Sequence, residues 1–257
     1  RLNYRISHYD KPYIAFMDGI TMGGGMGLSV HGAYRIGTER LVMAMPETGI
    51  GFFPDIGGTY FLPRCPDEMG TYLGLTGVRV NAADALYLNL VEHVVAAYRL
   101  PELLKTLVDT EFSEDEPEIV TNIIAQFETP TEVSELHCYR DIVAECFSKD
   151  TLEVIIQTLK AHQSPWHQST LEELKKKSPL SLKVTLEALR RGITMDLKHC
   201  QQMEYNLCYH FMRDHDFYEG VRALLVDKDK NPQWQPASLD LVSKGKVENY
   251  FQPETVK

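Results

Sequence analysis

The feature that most constrains this chain is a run of glycines placed directly after an apolar segment. Tyr13-Ile14-Ala15-Phe16-Met17 follows Lys11-Pro12 and reads as a short buried strand. Gly23-Gly24-Gly25-Met26-Gly27 then leads into Leu28-Ser29-Val30-His31-Gly32, so strand, glycine turn and short helix are expected in that order. Glycines ahead of a helix leave backbone N–H groups unhindered, and the first turn of a helix carries unpaired donors and the positive end of its dipole. Two readings stay open at this point. The glycines can serve a tight, closely packed turn, or they can aim N–H donors at an oxygen that gains charge during attack on a carbonyl.

Other glycine motifs do not fit. A dinucleotide fingerprint, G-x-G-x-x-G or A, meets Val30 at its last position, and no G-K-[ST] of a phosphate loop follows. Gly27-Leu28-Ser29-Val30-His31 fails the last position of a G-x-S-x-G nucleophile elbow. Ser29 is therefore read as an ordinary helix residue, and His31 as a buried, satisfied histidine.

A second constrained stretch runs from Pro46 to Gly58. Glu47 and Asp55 sit there in an otherwise uncharged segment rich in Gly and Pro, which can fold back so that both acids face one pocket. Apolar surroundings raise a carboxyl's pKa, and a second acid nearby raises it further. Such a group can serve as base or nucleophile, although two capping or surface acids would give the same pattern.

Around these stretches, Ala33–Ile36 and Leu41–Met45 read as strands, Asp67–Leu75 and Ala82–Asn89 as helices, and Val91–Val95 as a short strand. Helix follows helix after Pro101, with the acidic run Glu111–Glu118 read as a solvated loop. Ser178 is the expected N-cap of a helix from Pro179 that presents Leu182, Leu186 and Leu189 on one face. Further helices are expected at Glu204–Met212 and Asp216–Val226. The expected class is α/β, a sheet-containing core followed by helices. The expected division is 1–100 core, 101–178 helical region and 179–257 C-terminal helical region.

Composition narrows the function. The net charge of −10 argues against nucleic acid as a partner, and no apolar run approaches a membrane span. The five cysteines form no C-x-x-C pair and suit a reducing compartment, and the nine histidines show no metal-ligand spacing, so no metal is expected.

Gly19 through Gly32, Ala44-Met45-Pro46-Glu47-Thr48, Phe53-Pro54-Asp55-Ile56-Gly57-Gly58, Ser178-Pro179-Leu180-Ser181-Leu182-Lys183 and His215 through Ala223 together resemble the 3-hydroxyisobutyryl-CoA hydrolase family, from about Lys11 to about Trp234. That resemblance implies a crotonase-like core of ββα turns, incomplete at its N-terminus. It implies Gly24 as an oxyanion-hole and substrate-binding donor, and Glu47 and Asp55 as catalytic, substrate-binding carboxylates. Enoyl-CoA hydratases carry a second catalytic Glu where this chain has Gly27, and usually a Gly where it has Asp55, which favours hydrolysis over hydration. The implied reaction is cleavage of 3-hydroxyisobutyryl-CoA to 3-hydroxyisobutyrate and CoA in valine breakdown, with CoA part of the substrate and no separate cofactor. The alternatives are another crotonase reaction, hydration or isomerisation, or a non-catalytic structural subunit. The resemblance also implies an upstream segment supplying a second oxyanion donor, allows a homo-oligomer, and places the protein in a bacterial cytoplasm or a mitochondrial matrix.

Overall fold

The computed structural model describes residues 1–112 and 115–253. Strands β1 (Ile14–Met17), β2 (Ile20–Met22), β3 (Tyr34–Gly37), β4 (Val42–Ala44) and β5 (His93–Val94) form two parallel sheets, β1-β3-β5 and β2-β4. The chain gives one strand to each sheet, passes through the Gly24–Ser29 helix, and gives one more strand to each. Ile14 therefore pairs with Tyr34, and Ile20 with Val42. Parallel neighbours need such a crossover, because no hairpin can join them. The expected α/β class and the repeated ββα order are both present.

Two compact units result, Arg1–Ala44 with Arg79–Tyr139, and Met45–Val78 with the chain from Arg140 onward. The first holds all five strands. Ile36 and Val95 form its centre with Leu103, Val120 and Ile124 from the Leu100–Asp109 and Glu116–Ala125 helices. Of the acidic run 111–118, Ser113 and Glu114 lie outside the described residues, and from Glu116 on it is helical rather than the loop expected. β2 and a Leu2–Ser7 helix were not expected from the sequence.

The second unit is built around the Pro179–Gly192 helix. Ser178 caps it, its hydroxyl accepting from Ser181 N at 3.0 Å, and Pro179 occupies the first turn, where a missing N–H costs nothing. Instead of one apolar face, nearly its whole circumference is buried, including Leu180, Val184, Leu186 and Leu189. Phe53, fully buried, stacks on Phe211 at 5.4 Å between ring centroids. Burying one such ring stabilises the fold by roughly 1.5–3 kcal/mol. All five cysteines are free thiols. Among the described residues, no helix is long and apolar enough to cross a membrane.

Candidate functional site

Glu47 opens a short 3-10 helix, Glu47–Ile50, entered through Pro46. Glu47 is 7% exposed, and its Oε2 is buried with no hydrogen-bond partner. Burial is the main force that pushes this carboxyl up to about 8, and the nearby Asp55 charge adds to it, against a bond from its own backbone N–H. A buried acid with an unclaimed oxygen is costly to keep, and such strain marks functional positions.

Distant segments grip the turn. Ser178 N donates to the Thr48 carbonyl at 3.2 Å, and the Thr48 hydroxyl donates to Leu75 O at 3.1 Å. Gly51 adopts φ 71°, and a Cβ there would lie 2.1 Å from the Asp216 carbonyl oxygen. A Cβ on Gly220 would lie 2.2 Å from Ile50 O. Main chain touches main chain at both places, so only glycine fits. Asp216, fully buried, accepts from the Ser178 hydroxyl at 2.5 Å and from Gln235 N at 2.7 Å. The two C-terminal signatures thus meet at the back of the Glu47 turn.

Asp55 lies in the next turn, where Gly58 N donates to its carbonyl at 2.8 Å. Burial raises its carboxyl above the ordinary aspartate value, again against its own backbone N–H. Ile56 (φ 52°) and Gly57 (φ 89°) follow in left-handed conformations, unfavourable for a β-branched residue. Sequence reasoning missed Glu204, whose carboxylate accepts from Gly57 N, Thr59 N and the Thr59 hydroxyl at 2.8, 3.0 and 2.7 Å. Burial pushes it up to about 7, partly offset by those bonds, and the Asp55 charge adds to the rise. Glu204 is the single acid of the Leu197–Phe211 helix and sits on the buried stripe with Cys200, Met203, Leu207 and Phe211. A charge on an apolar stripe was the available signal.

Glu47, Asp55 and Glu204 all belong to the second unit, and the Asp55 charge acts on both glutamates. Gly24 belongs to the first, as the opening residue of the Gly24–Ser29 helix behind Gly23 (φ 50°). A Cβ on Gly24 would meet nothing within 4 Å. Packing therefore does not require glycine there. Ser29 spends its hydroxyl on Gly25 O at 2.8 Å, and His31 is buried, as the sequence suggested.

Residues 1–251 match the family model described as enoyl-CoA hydratase/isomerase. The chain is 45% identical over 258 residues to the mitochondrial 3-hydroxyisobutyryl-CoA hydrolase of Gallus gallus, an alignment covering 98% of this chain and 66% of that protein. It is 41% identical over 272 residues to small ribosomal subunit protein mS47 of Neurospora crassa, covering 98% of this chain and 54% of that one. The crystal structure of a carnitinyl-CoA dehydratase from Mycobacterium thermoresistibile superposes with a TM-score of 0.91 at 37% identity, covering 100% of this chain and 72% of that one. The chain thus spans just under two thirds of the hydrolase it matches.

Proposed function

The chain belongs to the enoyl-CoA hydratase/isomerase family and has its crotonase-like core, and on that premise we propose that it hydrolyses an acyl-CoA thioester, 3-hydroxyisobutyryl-CoA. The observation that carries this reading is Glu47, a buried carboxyl with one unclaimed oxygen, held near a second acid, Asp55. A hydratase-like reading needs a partner acid at 27, where this chain has glycine. The likeness to the Gallus gallus hydrolase points the same way.

The role of the Gly24 N–H rests on the resemblance of the glycine cluster to the family's oxyanion-hole segment, in which such a donor meets the thioester oxygen as charge gathers on it. Ionised Glu47 takes a proton from water, whose oxygen attacks the thioester carbon, or attacks that carbon directly to give an anhydride that water then opens. Either way the C–S bond breaks, CoA leaves as thiolate and is protonated, and the free acid forms. Asp55 orients the substrate hydroxyl or the water. The reaction needs no separate cofactor, because CoA is part of the substrate. A mitochondrial address, for a eukaryotic chain, is supported by the name of the Gallus gallus relative.

The test is thiol release by the full-length protein across a panel of acyl-CoA thioesters, with 3-hydroxyisobutyryl-CoA turned over fastest. A single turnover in ¹⁸O-water tests the direct route, since label enters Glu47 when an anhydride forms and water opens it at the glutamyl carbonyl. Two other readings have specific support. Similarity to a carnitinyl-CoA dehydratase favours lyase chemistry, and hydration of crotonyl-CoA without thiol release would establish it over hydrolysis. Similarity to mS47 favours a structural subunit, and co-sedimentation with ribosomal particles, without any turnover, would establish that.

A further inference from the structure

We propose that Glu204 is a positioning residue for this reaction, clamping the Gly57–Thr59 turn so that Asp55 points correctly. The proposal rests on the reading of Asp55 as a substrate-facing carboxylate. The Asp55 turn passes through two successive left-handed residues, one of them Ile56. Such a backbone is retained only when its surroundings over-determine it. Glu204 is the side chain that does so. Its Oε2 accepts from Gly57 N, and its Oε1 accepts from both Thr59 N and the Thr59 hydroxyl.

Every partner of the Glu204 carboxyl is a donor. A carboxylate has acceptors for all three, whereas an amide would turn an NH2 group toward an N–H and lose one side of the clamp. The clamp is also stiff from behind. Met203 and Leu207 flank Glu204 in the core with Phe53 and Phe211, and the Cys200 thiol reaches Thr59 O at 3.7 Å. A loosened clamp therefore moves the Asp55 turn rather than the helix. Positioning errors of about 1 Å can cost on the order of 10²-fold in rate.

The experiment is a double-mutant cycle on full-length protein, with thiol release from 3-hydroxyisobutyryl-CoA as readout and chemical denaturation as the check on folding. Glu204→Gln is expected to lower kcat about 10- to 100-fold. In an Asp55→Asn background the same change is expected to cost less than about threefold, because residues that act through one another are not additive. Thr59→Val removes one donor and leaves both backbone bonds; it is expected to cost a few-fold in rate, again only when Asp55 is present, and it answers the question if Glu204→Gln does not fold. If Asp55→Asn impairs hydrolysis but the Glu204 and Thr59 changes are silent, or multiply independently with it, the positioning role is overturned and the Asp55 reading stands. If Asp55→Asn leaves hydrolysis intact, the Asp55 reading itself fails and takes this proposal with it.

Discussion

Gly24 of the Gly23–Gly27 cluster and the glycines Gly51 and Gly220 at the Glu47 turn stand in opposite surroundings. At Gly51 and Gly220 a methyl group would drive into a backbone carbonyl at 2.1 and 2.2 Å, so glycine there is where two main chains press together. At Gly24 a methyl group would stand in open space. Glycine adjacent to a buried acid is thus part of how the acid's turn is held. Glycine at the head of the Gly24–Ser29 helix instead borders open space, with no neighbour that its packing must accommodate. Sequence composition alone treats both stretches as glycine-rich loops.

The strongest way to sharpen this contrast is at the held acid itself. Glu47→Gln is expected to reduce thiol release by about 10²–10⁴-fold while the protein stays folded. A loss under about fivefold in a folded variant would remove Glu47 from the mechanism. Next come the glycines, tested as a pair. Gly220→Ala is expected to destabilise the protein by about 3 kcal/mol or more, since backbone rather than a side-chain tip must give way. Gly24→Ala is expected to leave the unfolding free energy within about 1 kcal/mol, yet to slow hydrolysis roughly 10- to 100-fold, short of deleting an oxyanion donor outright. Equal effects of the two substitutions on stability, measured by denaturant titration, would break the contrast.

Asp55→Gly is expected to act more mildly, about tenfold on hydrolysis, with no robust hydration of crotonyl-CoA because Gly27 still supplies no second acid. Strong hydration by that single variant would show the carboxylate roles to be misassigned.

The last expected effect is on stability against pH. A carboxyl raised in the folded state binds its proton more tightly folded than unfolded. The stability that Glu47 contributes is therefore fully present below its ordinary value of 4.5 and is lost as pH rises toward about 8. Glu204, raised to about 7, acts in the same direction. Denaturation at pH 5, 6.5 and 8 is expected to show stability falling with pH, less steeply in Glu47→Gln. An unchanged slope would mean that the Glu47 carboxyl is not buried in solution.

Local signals carried much of this structure. Tyr13–Met17 announced β1 through its apolar run, and Ser178-Pro179 announced the start of the long helix through its capping chemistry. Glu47 and Asp55 stood out as acids in uncharged surroundings. Elements defined by distant partners stayed hidden. β2 has three residues with Ile20 largely exposed, and it is a strand only because β4 lies beside it. Glu204 escaped because its partners, Gly57 and Thr59, lie about 145 residues earlier in the chain. The full burial of the Pro179–Gly192 helix escaped for the same reason, since its periodicity shows a polar side that tertiary packing covers.

The joint of Thr48, Ser178 and Asp216 has a temporal consequence. Ribosomes make a chain in one direction, at about 5–20 residues per second. The Glu47 turn emerges roughly 10 to 30 s before Asp216, the residue whose backbone it must touch. Through that interval the Glu47 turn lacks the contacts that those later segments make with it. Only when the Ser178 and Asp216 segments arrive can Thr48 accept from Ser178 N and Gly51 pack on the Asp216 backbone. The C-terminal helices thus complete a turn whose residues were synthesised long before them.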